Sequence, residues 1–200
     1  IEIGAGMPSR ACLEANAHAL ARYAALSQEA GLVPIVEPEV LMDGGHDIER
    51  CAEVTEAALQ LTFQELFSQN VVLEGMVLKP NMVVPGKHCG QQNSVAEVAE
   101  MTVKVLRRHV PGAVPGIAFL SGGQSEVEAT AHLNAMNSLG EMPWQLSFSY
   151  GRALQASALQ AWRGSADNVP AAQAALAHRA RMNGLARRGE YSENMEQDAA

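Results

Sequence analysis

The segment W-Q-L-S-F-S-Y-G-R-A-L-Q-A-S-A-L-Q-A-W, residues 144–162, shows most directly which kind of fold this chain adopts. From Trp144 to Tyr150 apolar and polar residues alternate, and this period of two predicts a strand. After Gly151 the pattern becomes helical and continues to Trp162. A strand followed at once by a helix is one β–α unit, so the segment indicates an α/β protein.

The same alternation extends over the rest of the chain. The patterns predict strands at 33–36, at 71–73 continuing toward 77–78, at 117–120 and at 144–150, and helices at 9–31, 47–61, 94–105, 125–139, 152–162 and after Pro170. Ser94 and Glu97 form a capping-box pattern at the start of the third helix. Residues 1–3 read as the end of a further strand.

Repeating units of this length imply a parallel sheet. Two architectures fit their order: an open doubly wound sheet and part of a (β/α)₈ barrel. A complete barrel takes about 250 residues, so four units would be about half of one. The pattern alone leaves both possibilities open.

Composition places the chain among folded, soluble globular proteins. Of its 200 residues, 48% are hydrophobic and 18% are charged, and the net charge is -8. This balance argues against a nucleic-acid-binding surface, and no stretch approaches the ~18 consecutive apolar residues of a membrane span. The three cysteines lack metal-site spacing and suit reduced thiols in a cytoplasmic protein. No linker divides the chain, so residues 1–200 are predicted to form one domain whose last ten or so residues are a frayed polar tail.

Two glutamates follow the predicted strand at 33–36. Residues two apart in a strand point to the same side, so Glu37 and Glu39 are expected to share a face. Two neighbouring carboxylates can divide the roles of acid and base between them. The alternative is an exposed pair at the end of a strand.

A single lysine marks the end of the next predicted strand. Lys79 follows an apolar run and precedes Pro80, which ends the strand. Apolar neighbours favour the uncharged amine, which is the form that attacks a carbonyl carbon. The alternative is a lysine that extends into solvent at the rim of the sheet.

Turns at the ends of the last two predicted strands have the features of a phosphate site. Ser121 is followed by Gly122 and Gly123, which let a ligand approach backbone N–H groups closely. Gly151 and Arg152 stand at a helix start, where a guanidinium and the helix N-terminus can both bind an anion. Barrel enzymes often bind phosphate after strands 7 and 8. With the lysine and the carboxylates, these turns predict a site for a phosphorylated carbonyl compound.

Four motifs resemble those of the class I, Schiff-base-forming fructose-bisphosphate aldolases. They are V-P-I-V-E-P-E at 33–39, L-K-P-N-M-V at 78–83, F-L-S-G-G-Q-S-E at 119–126 and S-Y-G-R-A-L-Q-A-S-A-L-Q-A-W at 149–162. With the weaker L-A-R-Y-A at 20–24, the resemblance extends over residues 1–191. It implies a (β/α)₈ TIM barrel, of which this chain would hold the end of strand 4, strands 5–8 and the C-terminal helices.

The resemblance also implies roles for the candidate residues. Lys79 would form the Schiff base, Glu37 would shuttle protons, and Glu39 would support the catalytic groups around it. The phosphate on C1 of the substrate would be held by Ser121, Gly122, Gly123, Gly151 and Arg152.

The implied reaction is cleavage of fructose 1,6-bisphosphate to dihydroxyacetone phosphate and glyceraldehyde 3-phosphate, in glycolysis and gluconeogenesis. Because an iminium ion serves as the electron sink, this chemistry requires no metal and no other cofactor. His46 and His88 lie in polar loops without ligand spacing, which argues against a metal site there. The expected partners are phosphorylated ketoses and trioses, and the resemblance implies a homotetramer.

Part of the family's machinery has no counterpart here. The family also uses an aspartate on strand 1 and a lysine and an arginine on strand 4, and the chain begins at Ile1 without an initiator methionine. It is therefore expected to start inside a longer protein, and on its own to be inactive and to self-associate through open sheet edges. Two other interpretations are an aldolase-derived scaffold that binds phosphorylated ligands without catalysis, and a pyridoxal-phosphate enzyme.

Overall fold

In the computed structural model, which describes residues 1–199, six α-helices alternate with four short strands. The strands are β1 (Ile35–Val36), β2 (Val77–Leu78), β3 (Gly116–Phe119) and β4 (Gln145–Phe148). The helices are α1 (Arg10–Glu29), α2 (Ile48–Ser68), α3 (Val95–His109), α4 (Glu126–Asn137), α5 (Arg152–Trp162) and α6 (Val169–Ala186). Short 3₁₀ helices occupy Leu73–Gly75, Ala166–Asn168 and Glu193–Ala199.

The four strands form one parallel sheet in the order β1-β2-β3-β4. Val36 lies opposite Leu78, Leu78 opposite Ile117, and Ile117 opposite Leu146. A doubly wound sheet reverses its strand order at a switch point, whereas these strands keep the order of the chain, as successive units of a (β/α)₈ barrel do. The chain is therefore part of a TIM barrel, and the predicted fold class is confirmed.

The two faces of the sheet differ in exposure. Val36, Leu78, Ile117 and Leu146 are all buried, and helices α1 to α4 pack side by side in chain order. In each strand, the residue next to the buried one points to the opposite face, which is more accessible. These residues are Ile35, Val77, Ala118 and Ser147. Lys79 follows Leu78 directly, so it belongs to this accessible face.

Side-chain caps begin four of the helices. Ser94 accepts a hydrogen bond from the backbone N–H of Glu97, and the Glu97 carboxylate accepts one from the Ser94 N–H, which confirms the predicted capping box of α3. Ser125 and Glu128 form the same box at α4. Ser9 and Asp47 each cap a helix with one side-chain hydrogen bond. These caps explain why sequence patterns located the helix starts well.

The strand predicted at 71–73 is wrong. Leu73–Gly75 is a 3₁₀ helix, and the strand is limited to Val77–Leu78. The cause is a side chain from α1: the Gln28 amide accepts a hydrogen bond from the Val72 N–H at 2.9 Å and donates one to the Val72 carbonyl at 2.8 Å. Gln28 thus takes the place that a neighbouring strand would have at Val72.

Residues 1–3, which the pattern predicts as a strand end, form no regular strand. The nitrogen of Ile1 donates to the Glu39 carbonyl at 2.8 Å, and the Leu41 N–H donates to the Ile1 carbonyl at 2.9 Å. Ile3 is buried in the core. The segment therefore pairs with the loop that follows β1.

The C-terminal segment is anchored by ion pairs, contrary to the prediction of a frayed tail. Glu193–Ala199 is a 3₁₀ helix, and Arg179 of α6 donates to both carboxylate oxygens of Glu196, at 2.9 and 2.7 Å. Tyr191 donates to the same carboxylate at 2.8 Å, and His178 lies 3.0 Å from it. Burial would raise the pKa of Glu196, but the hydrogen bonds from Arg179, His178 and Tyr191 hold it below its ordinary value.

The cysteines and the helices carry no sign of cross-links or membrane insertion in the described part of the chain. Cys12, Cys51 and Cys89 are all free thiols. Among residues 1–199, no helix combines the length and the apolar character that crossing a bilayer requires.

Asn81 joins three parts of the fold just after β2. Its buried side chain accepts a hydrogen bond from the Val40 N–H at 3.0 Å and donates to the Thr55 hydroxyl and the Met82 carbonyl, both at 3.1 Å. One amide thereby connects the loop after β1, helix α2 and the loop after β2. Buried backbone groups that lose such a partner are costly.

We expect Asn81→Leu to lower the free energy of unfolding by about 2 kcal/mol, because it leaves the buried Val40 N–H without an acceptor. Urea unfolding followed by circular dichroism measures the change. Asn16→Leu, on the exposed side of α1, is the matched control and should change stability by less than about 0.5 kcal/mol. Equal effects of the two substitutions would contradict the bridging role of Asn81.

Candidate functional site

The predicted site residues all follow strand ends on one edge of the sheet. Glu37 comes directly after β1 and Lys79 directly after β2, while Ser121 and Gly151 lie two to three residues beyond β3 and β4. Since the strands are parallel, their carboxyl ends meet at the same edge. The structure thus brings residues from four separate segments to a single rim.

Lys79 and Glu37 form an ion pair at this rim. The Lys79 ammonium lies 3.1 Å from a carboxylate oxygen of Glu37, and the two side chains are 21% and 40% exposed. The Lys79 N–H donates to the Val36 carbonyl at 2.7 Å, which continues the pairing of β1 and β2 beyond the regular strands. A carboxylate this close can take a proton from the amine or return one to a group bound to it.

Glu39 does not share the environment of Glu37 in the way the strand pattern suggests. β1 ends at Val36, and the Glu39 N–H donates to the Glu37 carbonyl at 3.0 Å, so residues 37–39 form a tight turn. The period-two argument for a common face therefore fails at this point. The Glu39 side chain is half-buried near the start of the loop that follows β1.

The predicted phosphate turn follows β3. Gly122 and Gly123 have φ angles of 61° and 98°, values that other residues adopt only with strain. The Gln124 N–H closes the turn by donating to the Ser121 carbonyl at 3.0 Å. Ser121 is buried, whereas Gly123 is exposed to solvent. The accessible side of the turn is therefore backbone at Gly123, and the end of the Lys87 side chain lies next to it.

Arg152 is the first residue of helix α5, and Gly151 is its N-cap. No side chain caps this helix start, so its first N–H groups are available to an anion. The Ser149 N–H donates to the Phe119 carbonyl at 3.0 Å, which ties the segment to β3. Within residues 1–199 the Arg152 guanidinium forms no salt bridge, so its charge can serve a ligand.

A buried histidine supports the phosphate turn from behind, and sequence patterns gave no indication of it. Nδ1 of His132, on α4, lies 2.6 Å from the side-chain oxygen of Gln124. The Gln124 amide in turn donates to the Ser121 carbonyl at 3.1 Å. Burial lowers the pKa of His132, although the nearby Glu128 charge opposes this shift. The neutral ring can thus hold Gln124, and through it the turn.

Lys87 and Asp43 are two further charged residues that the sequence analysis did not single out. The Lys87 ammonium donates to an Asp43 oxygen at 2.9 Å. Both residues lie in the loops that follow β2 and β1, next to the phosphate turn. Neither belongs to a periodic pattern or a recognisable motif, so no sequence signal could have identified them.

The two histidines that were considered as metal ligands lie in these loops as well. Both ring nitrogens of His46 are buried without a hydrogen-bond partner, and burial lowers its pKa. His88 is exposed, and its N–H donates to the Gly44 carbonyl at 2.8 Å. In the part of the chain that the structure describes, no three His, Cys, Asp or Glu side chains come close enough together to hold a metal ion.

Comparison with known proteins gives consistent matches over the whole chain. The family profile described as class I fructose-bisphosphate aldolase matches residues 1–200. A probable fructose-bisphosphate aldolase class 1 of Xanthomonas campestris is 59% identical over 96% of this chain and 58% of its own length. Fructose-bisphosphate aldolase 4, cytosolic, of Arabidopsis thaliana is 54% identical over 96% of this chain and 49% of its own length. The chain thus spans about half the length of the curated relatives it matches.

A solved structure is similar as well. It is fructose-bisphosphate aldolase from Plasmodium falciparum in complex with TRAP and a small-molecule inhibitor. The TM-score is 0.94 at 50% sequence identity, and the match covers 96% of this chain and 56% of that one. At this identity the likeness extends to the sequence as well as to the fold.

We expect the stability of the protein to fall on acidification through protonation of His132. Its pKa in the folded state lies below the ordinary value of 6.5, so between these two values the unfolded chain binds the proton more readily. The loss approaches about 1.4 kcal/mol per pH unit in that window. His132→Asn keeps an N–H donor for Gln124 and should flatten this dependence in urea unfolding measured from pH 7.5 to 5.0. The exposed His18→Asn is the control, and an unchanged slope in His132→Asn would count against the assignment.

Proposed function

The chain belongs to the class I fructose-bisphosphate aldolases, and from this premise we propose that it carries the Schiff-base half of an active site that cleaves fructose 1,6-bisphosphate. The products would be dihydroxyacetone phosphate and glyceraldehyde 3-phosphate. The observation that supports this proposal most strongly is the 3.1 Å contact between Lys79 and Glu37 at the carboxyl ends of adjacent strands. A nucleophilic amine and a proton acceptor within hydrogen-bond reach are what carbonyl addition needs.

The proposed reaction begins with proton transfer from Lys79 to Glu37. The neutral amine adds to the C2 ketone, and Glu37 returns the proton to the departing hydroxyl, so that water leaves and an iminium ion forms. Glu37, which is again a carboxylate, would take the proton from the C4 hydroxyl; the C3–C4 bond then breaks, and the iminium nitrogen takes up the electron pair. The first product leaves as an aldehyde. Glu37 would then return its proton to C3 of the enamine, and hydrolysis of the resulting iminium releases the ketone and regenerates Lys79. We propose that Glu39 supports the catalytic groups from the adjoining turn.

The phosphate on C1 would lie on the turns after β3 and β4. The left-handed glycines at 122 and 123 leave backbone groups accessible, Ser121 supplies a hydroxyl, and Gly151 and Arg152 supply the uncapped helix start and a guanidinium. Lys79 and these turns follow successive strands, so the ketone carbon and its phosphate would span neighbouring strand ends. This spacing supports a phosphorylated ketose over a free sugar.

Several broader features rest on the same premise. We propose that residues 1–200 form one continuous part of a barrel domain, that the complete enzyme acts in glycolysis and gluconeogenesis in the cytoplasm, and that it assembles as a homotetramer. This chain spans 58% and 49% of the length of the Xanthomonas campestris and Arabidopsis thaliana relatives, so the remaining groups of the site would come from the part of the barrel that lies outside the match.

The chain contains three lysines: Lys79, Lys87 and Lys104. Because there are so few, trapping of the Schiff base can show which of them reacts. We define the joined protein as this chain preceded by the N-terminal segment of the Xanthomonas campestris relative. Borohydride reduction in the presence of dihydroxyacetone phosphate should attach one triose phosphate to Lys79, as read by peptide mass spectrometry. Lys79→Arg keeps the charge but should abolish the adduct, and Lys104→Arg should leave it intact. No adduct on Lys79 would refute the aldolase proposal and favour a non-catalytic phosphate-binding scaffold.

The isolated 200-residue chain should lack measurable cleavage activity, because it supplies four strands of a barrel and leaves two sheet edges unpaired. A coupled assay for triose phosphates, run beside the joined protein, measures this difference. Light scattering should find the isolated chain self-associated. Turnover equal to that of the joined protein would contradict this expectation.

A further inference from the structure

Lys87 lies against the phosphate turn although it comes from a different loop. A side-chain Cβ built on Gly123 would stand 2.7 Å from Nζ of Lys87 and 2.8 Å from its Cε. The end of the lysine therefore packs on the one exposed residue of the turn, and a side chain at this position would displace the flexible end of Lys87. The φ angle of 98° imposes glycine at the same position independently.

The backbone around Lys87 is fixed by pairing between two loops. The Lys87 N–H donates to the Met42 carbonyl at 2.8 Å, and the N–H groups of Gly86 and His88 donate to the carbonyls of His46 and Gly44 at the same distance. Gly86 has no space for a side chain, since a Cβ there would collide with the Gly44 carbonyl. A lysine on an anchored backbone loses less conformational entropy when its ammonium binds a ligand.

In the absence of a ligand the ammonium has an exchangeable partner. Lys87 pairs with Asp43 at 2.9 Å, and the two side chains are 39% and 60% exposed, so this pair is worth little in water. The hydrogen bond and charge of Lys87 lower the pKa of Asp43, and the charges of His88 and Arg152 act in the same direction. Arg152, the first residue of α5, thus acts on the same carboxylate through its charge.

We propose that Lys87 is a further phosphate-binding residue of this site: its ammonium leaves Asp43 and donates to the phosphate that occupies the Gly122–Gly123 turn. The inference rests on the proposed function in one respect, namely that this turn binds phosphate. A phosphate dianion is a stronger partner for an ammonium than an exposed carboxylate. Asp43 then acts as a competitor that occupies Lys87 until the phosphate arrives.

A double-mutant cycle distinguishes direct binding of phosphate by Lys87 from an indirect effect in which Lys87 only neutralises the charge of Asp43. Affinity for inorganic phosphate is measured by calorimetry on the joined protein and on its Lys87→Met, Asp43→Asn and doubly substituted forms. Direct binding predicts about tenfold weaker affinity in Lys87→Met, tighter affinity in Asp43→Asn, and a double variant as weak as Lys87→Met. Lys87→Arg should recover part of the loss, and Lys104→Met, which removes a distant exposed charge, should change nothing.

Two results would overturn the proposal. If the double variant binds as well as the unsubstituted protein, Lys87 only neutralises Asp43. If Lys87→Met binds phosphate with unchanged affinity, the ammonium makes no contact at all. Circular dichroism of each variant checks that the fold is retained. Failure of Schiff-base trapping on Lys79, together with phosphate binding that still depends on Lys87, would reject the aldolase reaction and leave this site in place.

Discussion

Hydrogen bonding between very short parallel strands fixes where the candidate functional residues lie. β1 and β2 contain two residues each, and the pairing continues past them, because the Lys79 N–H donates to the Val36 carbonyl at 2.7 Å. The Leu120 N–H donates to the Pro80 carbonyl in the same way, at 3.2 Å. The first residues of the loops after β2, β3 and β4, which are Lys79, Leu120 and Ser149, are therefore still hydrogen-bonded to the neighbouring strand or its continuation. This explains how functional groups on irregular segments can keep the sub-ångström positioning that a reacting centre requires.

Buried polar side chains then hold the loops themselves. Asn81 joins the loops after β1 and β2, and Gln124 with His132 supports the turn after β3. Arg179, which is 2% exposed, donates to Thr130 at 3.1 Å, and the Thr130 hydroxyl and Tyr150 both donate to Asn183, at 2.9 and 2.8 Å. Burial raises the pKa of Tyr150 to about 12, so its hydroxyl keeps the proton it donates. A buried charge such as that of Arg179 contributes little net stability. We therefore interpret this hydrogen-bonded group as fixing the segment that leads into Gly151.

The sequence predicted the elements whose cause is local. Caps such as Ser94 with Glu97 and the alternation before Tyr150 are read from adjacent residues, and the structure agrees with both.

The predictions that failed have causes that are distant in the sequence. Gln28 reaches Val72 across 44 positions and replaces a strand by a 3₁₀ turn, and Arg179 anchors a tail that composition alone predicts to fray. Lys79 and Glu37 meet because β1 and β2 are neighbouring strands of the sheet. Residue patterns alone did not decide whether that sheet is doubly wound or part of a barrel. The motif resemblance, not periodicity, selected the barrel.

The chain as a whole is acidic, but the charges at the rim are distributed in a way that would allow an anion to bind there. The net charge of -8 opposes a phosphate at long range, but such fields decay within about 8 Å at physiological salt. At contact distance the balance is different: Lys79 and Lys87 are each paired with one carboxylate, while Arg152 has no such partner among residues 1–199. The rim as a whole is thus close to neutral, with Lys79, Lys87 and Arg152 facing Glu37, Glu39 and Asp43, and Arg152 is the one of these cations without an ion-pair partner in the described part of the chain. A phosphate bound as proposed would meet the Arg152 guanidinium, the start of α5 and the Gly122–Gly123 turn, so its selection would depend on these local donors and not on the field of the whole protein.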